Sequence, residues 1–515
     1  MSTKAASSRV LARLLASVGA CLGAVSLASA EAPMSAIDWL SESVTAPVVM
    51  TPNEEAVANT AAIESITVQP LDATPPDAVG ILSPAVTGFP TNLWGRGESE
   101  AIISAVLDSP VETLPATAAL RQRVLLAEAD APVASDGSVL LARVDKLLDI
   151  GALDDAQALL DQAGPTTPDL FRRWFDVALL TGTEDRACEA LRSNSDIAPT
   201  YQARIFCLAR NGDWDAAALT LNSAASLGVV DQAEYDLISR FLDPELFEGD
   251  PPLPIPDRPT PLVFRMFEAI GEPLPTQTLP RAFAHADLRS TAGWKARIEA
   301  AERLARVGAI SDNRLLGIYS ERSPAASGGL WDRVDALQEF DAAVSDSDAD
   351  AVNETFARAW REMARAGLSR VFARLYAPQL SEMELDGATA DLAFRAALLS
   401  DDYEVAARNR PTKTPDDKFL TALAQGRPDT AIATNDRAQA VRDGFDGGAP
   451  SVEFSNLLNE DRLGEAILTA VDRFTQGAEG DLEQISRSLR FFRSVGLEDT
   501  ARQASLQFLL MSGRS

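Results

Sequence analysis

A single histidine, His285, stands among 515 residues, in the run Arg281-Ala282-Phe283-Ala284-His285-Ala286-Asp287. A Ser/His/Asp relay would have to pass through it. No Gly-x-Ser-x-Gly elbow is present and the run lies in a proline-rich stretch, so a structural histidine is expected. Zinc needs three or four ligands, more than one histidine and the two cysteines outside the N-terminal leader supply. The run Asp346-Ser347-Asp348-Ala349-Asp350 spaces oxygen ligands as a calcium loop does. It carries Ala351 where the turn glycine belongs and Ala357 where the bidentate glutamate belongs, so capping of a helix near Val352 is expected instead. No glycine-rich phosphate loop occurs between a strand and a helix pattern. The 75 acidic residues leave carboxylate pairs open for acid–base work, but no motif singles one out. No catalytic residue, cofactor or metal site is expected.

Cys188 and Cys207 form the one thiol pair outside the leader. Cys188 falls on a helix pattern running to about Ser193, and Cys207 on one starting near Pro199. The turn 194–198 is centred between them, so two antiparallel helices would set the cysteines level. A disulfide there would stabilise by roughly 3 kcal/mol through loop closure; the other reading is two buried thiols packed as small apolar residues.

The leader itself has Lys4, Arg9 and Arg13, an apolar stretch from Leu14 to Leu27, and the small-x-small site Ala28-Ser29-Ala30, the pattern of a secretory signal peptide. A periplasmic address is expected. Val18-Gly19-Ala20-Cys21 loosely matches a lipobox, which leaves lipid anchoring at Cys21 as the minor alternative. No window approaches the ~20 apolar residues of a membrane span. With 46 basic against 75 acidic residues the net charge is −29. Removal of the three basic leader residues leaves −32. That charge disfavours a nucleic-acid partner, whose phosphates need a basic surface.

Residues 31–97 are rich in Pro, Ala, Thr and Val, with Pro70, Pro75, Pro76, Pro84 and Pro90 breaking any regular element. An extended, largely disordered arm is expected. Two apolar islands interrupt it, one holding Ile37, Trp39 and Leu40, the other Leu93 and Trp94. They would dock on the chain's own body or on a partner. From 98 to 243 apolar residues recur at three- and four-residue spacing, as in Leu140, Leu141, Val144, Leu147 and Leu148. Residues 244–292 form a proline-rich connector with short helices, and 293–515 return to the helical pattern.

A unit of Gly, four residues, then Ala at a close-packed position of the next helix recurs at Gly151/Ala156, Gly182/Ala187, Gly212/Ala217, Gly426/Ala431 and Gly496/Ala501. Asp401 and Asp461 stand in for the glycine before Ala406 and Ala466. The steps are 31 and 30 residues from Gly151 through Gly182 to Gly212, and 35 and 35 from Gly426 through Asp461 to Gly496. Stacked helix pairs would give such steps. The run Gly212-Asp213-Trp214-Asp215-Ala216-Ala217 resembles the inter-helix turn of the tetratricopeptide family, and Asp401-Asp402-Tyr403-Glu404-Val405-Ala406 resembles it less fully. That family's first-helix Trp and Leu-Gly are absent from most units, so the resemblance covers roughly 138–242 and 386–511. It implies helix pairs whose first helices line a peptide-binding groove. The Ala/Leu-rich character is also similar to the superhelical domain of periplasmic lytic transglycosylases, but their Glu-Ser start and Gly-Leu-Met-Gln run are missing.

The expected protein is all-α, an α-solenoid of antiparallel helix pairs in two halves, holding a protein or peptide partner in the cell envelope. Trp214, Tyr403 and Phe491 are expected as packing residues. The rival expectation is a peptidoglycan-associated enzyme or glycan-binding factor.

Overall fold

The computed structural model describes residues 75–133, 135–409 and 412–511. The leader, Cys21, and the island of Ile37, Trp39 and Leu40 lie outside the described residues. Those described all fall in one compact unit, Ser35–Ser515. Among them are 25 α-helices and no β-strand, only the isolated bridges Leu82 to Ala127 and Glu98 to Val133. No helix among them is long and apolar enough to cross a membrane.

The first helices are α1 (Pro84–Thr87), α2 (Ser99–Asp108) and α3 (Pro115–Leu126). Then come α4 (Ser138–Ile150), α5 (Leu153–Ala163), α6 (Pro168–Thr181), α7 (Glu184–Ser193), α8 (Tyr201–Arg210), α9 (Trp214–Ser226) and α10 (Gln232–Leu242). The connector holds α11 (Pro261–Ala269) and α12 (Ala284–Asp287) among short 3-10 turns. Beyond it lie α13 (Trp294–Ala305), α14 (Asp312–Tyr319), α15 (Leu330–Ser345), α16 (Ala349–Arg365), α17 (Ser369–Glu382), α18 (Gly387–Ala397) and α19 (Tyr403–Asn409). The last are α20 (Pro415–Ala424), α21 (Asp436–Gly444), α22 (Val452–Asn459), α23 (Leu463–Glu479), α24 (Leu482–Ser494) and α25 (Glu498–Met511). Many helices adjacent in sequence pack as pairs, including α8 with α9, α15 with α16 and α23 with α24, an arrangement compatible with a helical-repeat solenoid.

The turn residues do what their types allow. Gly151, Gly182, Gly212, Gly426 and Gly496 all hold φ between 74° and 87°, the left-handed conformation that ends a helix without a Cβ clash. Asp461 takes the same region with φ 58°, which aspartate tolerates better than most residues. The alanines that follow, Ala156, Ala187, Ala217, Ala466 and Ala501, are fully buried, as close helix packing requires. Ala431 departs from the pattern: it is extended, after a 3-10 turn over Pro428–Thr430. The next helix starts only at the cap of Asn435, whose Oδ1 accepts from Ala438 N at 2.9 Å.

The expectation of a disordered arm fails over its last part. From Pro75 the chain is built into the body. Asp77 is fully buried and caps α4 from outside it: its carboxylate accepts from Ser135 Oγ at 2.8 Å, Gly137 N at 3.0 Å and Leu140 N at 2.7 Å. Arg143 of α4, completely buried, donates to the carbonyls of Leu125, Ala127 and Val79 at 2.7, 2.9 and 2.8 Å. Leu93 and Trp94 are buried against α23, where Gly464 N donates to Leu93 O at 2.8 Å. Burying such large side chains is worth ~1.5–3 kcal/mol each, enough to order a segment that proline keeps from forming longer helices.

One consequence is that the described N-terminal helices meet the last ones. α2 and α3 pack on α23, and α3 also on α25; Thr113 and Thr475 hydroxyls pair at 2.7 Å and Ala116 N donates to Gln507 Oε1 at 2.8 Å. Core membership follows this meeting. One core runs from Phe89 to Ala286 and resumes from Phe394 to Phe508. The other lies between, from Ala284 to Ala396, centred on Phe340, Phe356, Phe372 and Tyr376 with ring centroids 4.9–5.7 Å apart.

Candidate functional site

Cys188 on α7 and Cys207 on α8 are joined as a disulfide, with Cα atoms 4.9 Å apart. His285 opens onto no cleft. It is 3% exposed and its Nε2 donates to Gly151 O at 2.7 Å, tying the connector to the end of α4. Burial lowers its pKa to about 4, against the raising effect of that carbonyl, so the ring is neutral near pH 7. Asp348 caps α16, accepting from Ala351 N at 3.0 Å. Among the described residues no three histidine, cysteine, aspartate or glutamate side chains gather to hold a metal ion. The turn glycines and their alanines lie at successive helix junctions rather than in one place. Tyr403 and Phe491 are buried, but Trp214, expected to pack, is 50% exposed.

Clefts among the described residues offer places for a ligand; one of about 370 Å³ lies between α2 and α23, and two others are larger. The first of these two, about 460 Å³, lies where the starts of α5 and α14 approach α17. Its lining is polar and includes Asp154, Asp155, Asp312, Asp401, Gln122, Asn313 and Arg374. Each carboxylate there is matched. Arg374 bridges Asp312 at 3.3 Å and Asp401 at 3.2 Å, Arg370 adds a second contact to Asp401 at 2.9 Å, and Arg314 stands 3.7 Å from Asp154. Gln122 donates to Asp155. Burial raises the pKa of Asp155, offset by that hydrogen bond, and raises that of Asp312, offset by Arg374 and Arg370. No aromatic ring lines the cleft, so it offers hydrogen bonds without a stacking platform.

The second cleft, about 580 Å³, is apolar and is formed by the end of α17, by α18 and by the start of α19. Its floor is Leu380, Phe394 and Ala397, all buried, and its sides are Met383, Leu385, Ala390, Ala393 and Val405. Several physical causes keep it open. Pro378 lies inside α17 and cannot donate to the preceding turn. α18 presents alanine where a bulkier residue would fill the space. α19 is held by its far side, where Tyr403 Oη donates to Asp499 Oδ1 at 2.7 Å and Glu404 pairs with Arg502 at 2.5 Å. Glu382 and Asp402 give the groove acidic edges. Val405 stays 50% exposed.

Neither of these two clefts was read as a site from sequence, although Asp401 lines the first and Asp402, Val405 and Ala406 line the second, all of them in a run read there as a repeat turn. The available signals were weak: a proline interrupting the pattern at Pro378, and an alanine-rich, lightly charged helix over 387–397. Compared with known proteins, the chain matches no family model, no curated protein and no solved structure.

Proposed function

We propose that this chain is a non-catalytic periplasmic binding or scaffold protein of the cell envelope. Its packed helix pairs are taken as a divergent, tetratricopeptide-like solenoid of antiparallel hairpins, and the apolar groove between α17, α18 and α19 as the seat for a protein or peptide partner. The observation that carries this reading is the groove itself. Its 580 Å³ falls in the range of pockets that take large apolar side chains, and helix-lined grooves bind peptides through such anchors. Acidic edges on a chain of net charge −29 favour a segment with apolar anchors and basic flanks.

The test uses synthetic peptides carrying leucine or phenylalanine at i and i+4 between lysines. They should bind the mature protein saturably, and Val405→Glu should weaken binding by about tenfold or more. Equal affinity for wild type and Val405→Glu would remove the groove from the account. The polar cleft favours a second reading, a glycan-binding factor using Asp155 and Asp312. On that reading the mature protein pulls down with purified sacculi and loses this on Asp155→Asn, while Val405→Glu has no effect.

A further inference from the structure

Between α10 and α11 the chain carries seven prolines within residues 243–261, and its middle run, Asp250-Pro251-Pro252-Leu253-Pro254-Ile255-Pro256, leaves the backbone little choice. Each proline holds φ at about −65°. Asp250, Pro251, Leu253 and Ile255 each precede a proline, which pushes them to extended backbone. Residues 251–256 accordingly form neither helix nor strand, and the regular conformation open to them is the polyproline-II helix, with three residues per turn. Burial follows that period. Leu253 and Pro256 are half-buried and Pro259 is buried, while the pairs between them, Pro251 with Pro252 and Pro254 with Ile255, are exposed. Ile255 is 71% exposed. The inward edge is fastened: Leu253 packs on the core, and its N–H donates to Glu272 Oε2 at 3.0 Å. Glu272 is held in turn by Arg240 of α10 at 3.4 Å. Just beyond, Thr260 caps α11, accepting from Val263 N at 3.1 Å. The ridge is therefore set in one shape before anything binds it.

We infer that this ridge is a docking strip for a partner domain that carries a groove lined by aromatic rings and rimmed by basic side chains. Here the chain is the ligand, a role separate from that of the groove between α17, α18 and α19. Flat rings pack between the proline faces of a polyproline-II ridge, and ring N–H and O–H groups donate to the carbonyls that this helix leaves without internal partners. The chemistry of the run excludes the other ways of reading a peptide. Four of the residues 251–256 are prolines without an N–H, so a strand cannot pair along them. Apolar pairs repeating every third residue do not match the three- and four-residue spacing that a helix-binding groove reads. Charge sets the rim. From 243 to 257 there are five acidic residues and no basic one, and Glu245, Glu248, Asp250 and Asp257 are all exposed. Lysine or arginine around the partner's groove complements them; a second copy of this chain, at net charge −29, does not. Because the ridge is already pinned, docking loses little of its free energy to ordering.

The test titrates isotope-labelled SH3 and WW domains, chosen to span basic and acidic groove rims, with the unlabelled mature protein and follows the amide resonances of each domain. Saturable shifts confined to the aromatic groove are expected in the basic-rimmed domains, with Kd on the order of 10–500 μM. Acidic-rimmed domains should bind at least about tenfold more weakly. Pro254→Ala and Ile255→Ser should each weaken binding by about fivefold or more. Ile255→Ser keeps every proline, and both positions are exposed, so circular dichroism and melting temperature should stay at wild-type values. Val405→Glu, which alters the other groove, should bind these domains as wild type does. No saturable shift in any domain at about 1 mM, binding indifferent to both ridge substitutions, or a preference for acidic rims would each overturn the proposal.

Discussion

At the scale of single residues, the buried polar groups work as fasteners. Two of them titrate with opposite sign. His285 has its pKa lowered to about 4 by burial, below its ordinary value near 6.5. The unfolded chain therefore binds the extra proton, and His285's contribution, full above about pH 6.5, is lost as pH falls toward 4. Asp176 on α6 is raised to about 7, first by burial and then by Asp145, against Arg172 and Arg173. Here the folded chain holds the extra proton, so the contribution is full below about pH 4 and is lost as pH rises through 7. The two slopes offset each other across pH 4–6.5. Relative to wild type, Asp176→Asn should lose stability more steeply on acidification, and His285→Gln should gain it. Urea midpoints at pH 4.5 and 6.5 check this; parallel shifts in both variants would contradict it. The cysteine pairing was legible because its two partners flank one short turn. The hold of Asp77 and Arg143 was not, since their partners come from elements packed around α4, and a proline-rich arm gives no sign that it supplies a cap.

At the scale of elements, glycine marked the turns correctly, because a left-handed helix end is a local requirement that glycine meets at least cost. Ala431 and Ala406 show the limit of counting letters: the first is extended after a 3-10 turn, and the second follows an Asp401 without positive φ and is only half-buried. Packing between distant elements left no comparable mark. Gly464 opens α23 beside the Trp94 ring, and a Cβ there would come within 2.6 Å of it. Gly464→Ala should therefore destabilise by about 1–3 kcal/mol through loss of the docked 89–97 segment. The same change in a Trp94→Ala background should cost much less, a coupling that a double-mutant cycle of urea midpoints measures. Additive costs would mean that the ring and the glycine do not meet. The apolar groove belongs to this scale too. It depends on Pro378, on the alanines of α18 and on the anchoring of α19 by Tyr403, three features that acquire meaning only once the helices are placed.

At the scale of the whole molecule, the meeting of α2 and α3 with α23 and α25 makes the chain's described ends part of one core. Helix pairs arranged in succession were legible; that the first would pack on the last was not, because periodicity reports neighbours and not closure. The proposed binding role rests on the apolar groove between α17, α18 and α19 on the surface of this body. The most direct test puts a photo-crosslinking residue at Val405 in cells. The account predicts one discrete protein adduct at Val405, abolished when Ala393→Trp fills the groove and absent from the still more exposed Val452. No adduct at Val405, or the same adducts at both positions, would contradict it.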